Sequence, residues 1–478
     1  MNEAVKVDSA HPAGAGAAAG AHARPTLSRT LRPRHVAMIT IGGIIGAGLF
    51  VGSSAVIAAA GPASVLSYAI AGALVLLIMR SLGEMAVAYP EVRAFTEFAR
   101  IGLGQWAGFT VGWLYWFFWV VVVPVEAIAG AVIVNHWLPL LPVWQIGMAL
   151  MAIMTGVNLM SARSYAEFEF WFSSIKVAAI ITFIVVAGSF AFGFTTFGLT
   201  APHAPTYGNL VQHGGFMPLG FTAVLAAVTT VFFSIMGAEI VTIAAAESQE
   251  PARAIAGLTS AIVWRIMAFY VSSVFLIVSV LPWTLVRPGE SPFTAALDAM
   301  HVGGAGTLMS IVILTAVLSC LNSAFYICSR VLFVLAERGD APRWLVQTNK
   351  RHVPTRSVLL GSAAGFAGVI AAILSPGVVF AFLLNASGAL ILFIYLATVV
   401  SQVRLRRARE AAGAARPALQ MWLFPWLSYL AIGGIAVVLL AMAVTPDLQS
   451  QFWASLLTVA VALAAYMIVG RKRPGAGA

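Results

Sequence analysis

The sequence predicts an all-α polytopic membrane protein with twelve transmembrane helices. Three observations carry that reading. Of 478 residues, 60% are hydrophobic and 9% charged, where soluble proteins carry about 25% charged residues. Mean hydropathy is +0.94. Apolar runs of about 20 residues, the length a helix needs to cross a bilayer, recur along the whole chain. These runs are too long for barrel strands, which leaves a helical bundle. The third observation is where the charge sits. Of 27 Lys and Arg, all but Lys176 and Arg287 fall before the first run, after the last, or around the connections of one face. By the positive-inside rule that face is cytoplasmic, with both termini in the cytoplasm. The net charge of +10 is therefore a topology signal, and nucleic acid is not an expected partner.

Taken in order, span 1 (36–57) holds Gly42, Gly43, Gly46, Gly48 and Gly52 in an apolar stretch. Two physical readings stand: close helix packing through small-x-x-x-small pairs, or a helix broken in mid-bilayer. Span 2 (63–88) ends with Glu84 one helical turn from Arg80, the spacing of an ion pair. Span 3 (106–135) carries Glu126 shortly after Pro124. Spans 4 (142–161) and 5 (170–192) come next, with Lys176 inside the fifth. Span 6 (218–245) has a small-residue weak point, Phe232 to Ala238, and a carboxylate just after it, Glu239. Span 7 covers 258–282 and span 8 covers 306–336. Cys320 and Cys328, both in span 8, fit no disulfide framework or metal spacing and read as small apolar positions. Asn322 is a polar residue in the same helix. Spans 9 (357–374) and 10 (377–403) precede the basic run Arg404–Arg409, a topology signal that also suits contact with anionic lipid. Spans 11 (421–443) and 12 (451–470) close the set. Residues 1–30, rich in Ala, Gly, Pro and His, read as a disordered cytoplasmic tail without the apolar core of a signal peptide. Residues 471–478 read as a second short tail.

Between the tails, 31–470 reads as one transporter domain. Paired weak points in spans 1 and 6 are the sequence mark of a transport site between repeats. The offset of five spans is odd, so the second half starts from the opposite face. That predicts an inverted 5+5 repeat, about 36–192 against 218–403, with 421–470 as two extra helices. No metal or nucleophile constellation appears among the spans, so neither an enzyme nor a cofactor is expected.

Several longer stretches resemble one family. They are 34–63 (RHVAMITIGGIIGAGLFVGSSAVIAAAGPA), 83–90 (GEMAVAYP), 106–120 (WAGFTVGWLYWFFWV), 166–177 (AEFEFWFSSIKV), 232–255 (FFSIMGAEIVTIAAAESQEPARAI), 319–333 (SCLNSAFYICSRVLF) and 338–342 (RGDAP). The chain is similar, from about residue 28 to 465, to the amino-acid permeases of the amino acid–polyamine–organocation superfamily. Its wording is nearest to the bacterial members that carry 4-aminobutyrate (GABA). The resemblance implies a leucine-transporter-type fold in the cell inner membrane and uptake of a small amino acid with a proton. Other cargoes on the same machine, such as proline, lysine or an aromatic amino acid, stay open, as do exchange in place of symport and, more remotely, a transport-dead sensor.

The cargo so implied is a zwitterion in a low-dielectric interior, and the expected site must serve both its charges. The backbone of Gly46, Ala47 and Gly48 offers N–H donors and a helix dipole to the substrate carboxylate. The carbonyls of Phe233, Ser234 and Met236 accept from the ammonium, and Phe233 closes over it. Glu126 contacts the amine or carries the coupled proton. Asn322 lines the pocket or bonds to a neighbouring helix. In the proton-coupled permeases that the chain resembles, a lysine in the motif of Lys176 stands where sodium sits in sodium-driven relatives. An ammonium held out of water gives up its proton more readily, so Lys176 is the second candidate for proton coupling. Its plainer alternative is snorkelling to the interface. Glu239 and Glu84 are weaker candidates.

Overall fold

The computed structural model describes residues 33–92, 94–160, 162–195, 205–242, 251–371, 373 and 376–470. The two predicted tails, 1–30 and 471–478, lie outside them. No strand occurs among the described residues. Ten helical runs are long and apolar enough to cross a membrane, and Thr355–Ala371 is apolar but shorter.

The chain opens with α1 (Pro33–Ile44), which stops at bends in Ile45 and Gly46. Helix resumes as α2 (Ala47–Phe50) and α3 (Gly52–Ala60). Predicted span 1 is therefore broken. A 3-10 turn over Gly61–Ala63 leads into α4 (Ser64–Ala88). A short α5 (Thr96–Leu103) precedes α6 (Gln105–Trp137), which runs through Pro124. α7 (Val143–Met160) and α8 (Ala162–Ala191) complete the first half of the chain. α8 starts eight residues before the predicted span, so its charged N-terminal turns are helical.

The second half holds α9 (Asn209–Gln212), α10 (Gly220–Ile235), α11 (Pro251–Val280), α12 (Pro292–Ala299), α13 (Ala305–Glu337), α14 (Thr355–Ala371), α15 (Pro376–Ala411), α16 (Trp426–Val444) and α17 (Pro446–Gly470). α10 ends at Met236, whose ψ of 159° leaves helical space, and Gly237 takes φ +108°, a conformation open to glycine at little cost. Helical geometry restarts at 240–242. Predicted span 6 is broken too.

Burial separates centre from rim. The most apolar window of Gly220–Thr242 is 83% buried within the protein, that of Leu448–Val469 only 6%. The second broken helix is thus central, the first is buried along most of 36–57, and α17 faces outward. α6 packs along α13, α4 along α11, and α1 along α8. These pairs enclose the breaks.

One expectation is corrected at the end of α4. Glu84 does not pair with Arg80. Its carboxylate accepts from Gln402 Nε2 (2.8 Å) and Met421 N (2.8 Å), and pairs with Arg406 at 3.3 Å. Arg80 donates instead to Gln420 O at 2.7 Å and stacks over Trp422. The segment after α15 folds back under α4 and brings these stronger partners, which overrides the local helix spacing. Arg406 and Arg409, from the basic run read as a topology signal that also suits lipid contact, are engaged within the protein: Arg409 donates to the carbonyls of Ala88 and Ala415.

Candidate functional site

A helix that stops in an apolar interior strands backbone groups that must find partners. At the first break each carbonyl from Gly42 to Ile45 has a side-chain donor from another helix within reach. Lys176 Nζ, from α8, donates to Gly42 O (2.7 Å) and Ile45 O (2.6 Å). Cys320 Sγ, from α13, approaches Gly43 O at 3.5 Å. The Tyr270 hydroxyl, from α11, lies 3.1 Å from Ile44 O. Lys176 is fully buried, so it does not snorkel.

The donor side of the same break faces a carboxylate. Ala47 N lies 3.3 Å from both oxygens of Glu126. The seat expected for a substrate carboxylate is occupied by the protein's own. A side chain at Gly46 would collide here, since an added Cβ would lie 2.8 Å from Glu126 Oε1 and from Cys320 Sγ.

The second break abuts the first. Ser234 Oγ donates to Gly48 O at 2.8 Å, and Ser234 O lies 2.9 Å from the Tyr270 hydroxyl. That hydroxyl has one proton and two acceptors, one on each break, so it serves one at a time. A Cβ at Gly48 would meet Ser234 Cα at 2.8 Å, so glycine is what lets the two segments touch. Below the break, Glu239 accepts from Gly237 N (3.2 Å), Tyr115 (3.0 Å) and Tyr395 (2.7 Å).

Between the breaks and α6 lies a small cavity of about 20 Å³, so in this conformation the side chains around it are nearly closed together. Of the expected site residues, Gly48, Glu126, Phe233 and Met236 line it. Ala47 reaches it through Glu126, and Ser234 is spent as a clasp between the breaks. Phe233 packs against Phe118 with centroids 6.4 Å apart, and Trp119 adds a second aromatic wall. Asn322 is not in the wall. Its Oδ1 accepts from Asn158 Nδ2 at 2.8 Å, so it takes the interhelical bond, because α7 packs beside α13 and brings a second amide within reach. Cys320 does stand in the wall, a position that its small apolar character alone did not mark.

Three residues carry no mark in the sequence reading. Tyr270 sits in an apolar span that also holds Arg265 and several serines, with no pattern to single it out. Tyr395 is likewise one hydroxyl among several on a long helix. Glu169 is a fully buried carboxylate on α8. The predicted span begins at 170, one residue too late to include it. A signal is nonetheless present: Glu169, Ser173 and Lys176 fall at i, i+4 and i+7, on one helix face.

Comparison with known proteins bears on what this arrangement serves. Residues 35–472 match the amino acid permease family model. The chain belongs to that family. The gamma-aminobutyric acid permease of Bacillus subtilis (strain 168) is 43% identical over 449 residues, 94% of each chain. A probable GABA permease of Pseudomonas aeruginosa is 45% identical over 456 residues, 95% of this chain and 94% of its own. An aromatic amino acid transport protein of Corynebacterium glutamicum is 38% identical over 434 residues, 89% of this chain and 92% of its own. As an amino acid permease the chain is a transporter of a small amino acid, built as a multi-pass membrane protein.

Proposed function

We propose that this permease imports GABA or a close analogue together with a proton, by alternating access in the bacterial inner membrane. The observation that carries the reading is the pair of ionisable side chains on one broken helix. Glu126 sits on its freed N–H and Lys176 on its freed carbonyls. Charged groups at this depth are costly and are kept for function.

In this reading Glu126 holds the carboxylate seat while no substrate is present. The substrate carboxylate takes over Ala47 N–H, and Glu126 turns to the ammonium or accepts the coupled proton. The amide of Gly48 and the carbonyls of Phe233 and Met236 complete the contacts, and Phe233 with Phe118 covers the bound molecule. Lys176 ties the α1 end to α8 and releases it as its protonation changes. The two breaks are equivalent points of two inverted five-helix halves, with α16 and α17 outside the repeat and both termini in the cytoplasm.

The relatives named for GABA favour that cargo. The one named for aromatic amino acids keeps a second cargo open, and the aromatic walls of the cavity suit it. The test is uptake of labelled GABA into proteoliposomes. It rises with an inward proton gradient, and unlabelled GABA competes better than proline, lysine or phenylalanine. Indifference to the gradient would remove the coupling; stronger competition by phenylalanine would reassign the cargo. Lys176→Ala abolishes accumulation against a gradient.

A further inference from the structure

The buried groups around the first break include one with no part in the proposed transport cycle. Glu169 lies two helical turns before Lys176 on α8, roughly 10 Å along the axis. Both side chains converge on Gly42. Lys176 binds its carbonyl, and a Cβ added to Gly42 would fall on the Glu169 carboxylate. Only glycine leaves room for this approach.

The surroundings of Glu169 are unequal. Oε1 accepts from Ser173 at 3.2 Å and from the Ser319 hydroxyl. Oε2 is buried and has no hydrogen-bond partner. Beyond the two hydroxyls, the nearest donor to this carboxylate is the buried amide of Asn322, whose Nδ2 has no other partner. A buried carboxylate oxygen without a donor is expensive to keep ionised. It is also the oxygen free to take a proton. Ser173, between Glu169 and Lys176, has its hydroxyl within reach of Met38 O (2.8 Å) as well as of Glu169, so it can turn between them.

The titratable groups facing this pair are few. Lys176 shares its helix with Glu169, Cys320 faces them from α13, and Glu126 from α6. Further along, towards the start of α8, Glu167 pairs with His35 of α1 at 3.5 Å, and Glu167 is half exposed. Ionisable groups thus continue from the break to an open end.

We infer that Glu169 receives the coupled proton from Lys176 on its way to the cytoplasm. This rests on the proposed role of Lys176. The Lys176 side chain first leaves the carbonyls of Gly42 and Ile45, to which it donates here, and turns along α8 to Glu169. An N–H bond of the ammonium then breaks and an O–H bond forms at Glu169 Oε2, leaving a neutral amine and a neutral acid. The acid then gives its proton to water at the cytoplasmic face and returns to carboxylate.

The experiment uses the whole protein in proteoliposomes, with labelled GABA and a pH-sensitive dye in the lumen. Counterflow exchange of GABA needs no net proton movement, whereas accumulation does. Glu169→Gln is expected to keep counterflow near the wild-type rate. Accumulation and luminal acidification should fall by about a hundred-fold, the scale of losing one proton-transfer group. Glu169→Asp should restore part of both, with a shifted pH profile. Full accumulation by Glu169→Gln overturns the proposal, and so does an equal loss of counterflow and accumulation, which marks a structural role. If Glu169→Gln does not reach the membrane, Glu169→Asp decides: slowed acidification with intact counterflow supports the role, and a wild-type pH profile overturns it. Lys176→Ala separates the two readings. If that variant still accumulates GABA, the lysine scheme itself fails, whatever Glu169 does.

Discussion

The two breaks solve the same problem in opposite ways. The first borrows its partners. Its stranded carbonyls are met by α8, α11 and α13, and its freed amide by α6. The second caps itself more locally. Glu239 reaches back two residues to Gly237 N, and two tyrosines hold that carboxylate in place. In the proposed transport cycle the first break, held by side chains from four helices, is where a change of charge becomes motion. The second has its own carboxylate as cap, braced by tyrosines from α6, α11 and α15. Within that cycle the first break is the moving element and the second the fixed one, although both look alike as weak points in an apolar span.

Substitutions at the contact between the breaks would sharpen this contrast most. Gly48→Ala drives a methyl into the Ser234 backbone, and such overpacking costs about 1–3 kcal/mol. Uptake at matched membrane abundance should fall by about ten-fold or more, since about 1.4 kcal/mol is a factor of ten. Near-normal uptake would mean that the breaks need not touch.

A second change tests the self-capped break. Glu239→Gln puts donors where Tyr115 and Tyr395 already donate, and a buried mismatch of this kind costs about 1–3 kcal/mol. Its signature should be a lower melting temperature in detergent, with the proton dependence of the remaining uptake unchanged. Altered proton coupling with unchanged melting would make Glu239 a working group instead of a cap.

The smallest effect is expected at the bridge. Tyr270→Phe removes one hydroxyl shared by Ile44 O and Ser234 O, worth about 1 kcal/mol or less. Initial uptake rates should change by a few-fold, with the GABA KM nearly constant. A large rise in KM would place Tyr270 in direct contact with substrate.

Legibility in the sequence differs from residue to residue. The break at Gly46 is visible because glycines in an apolar run mark a local backbone choice, and Gly237 marks the second for the same reason. Glu126 and Lys176 stand out because a charge inside a span is rare on its own terms. Glu169 does not, since it lies where hydropathy fades at the start of a helix. Asn322 is visible but its partner is not, and Asn158 wins it from the cavity. Arg80 and Glu84 show the reverse error, where a sound local spacing loses to Arg406 and Met421, more than three hundred residues away.

The sequence by itself determined the elements: helices across apolar runs, breaks where glycine makes them cheap, and charges too costly to be incidental. These depend on residues within a turn or two of each other. Only the tertiary structure decided which side chain fills each broken valence. Ala47 finds Glu126 across 79 positions and Gly42 finds Lys176 across 134. No local period encodes such pairings, because a stranded backbone group specifies only that it needs a partner, and packing chooses which one.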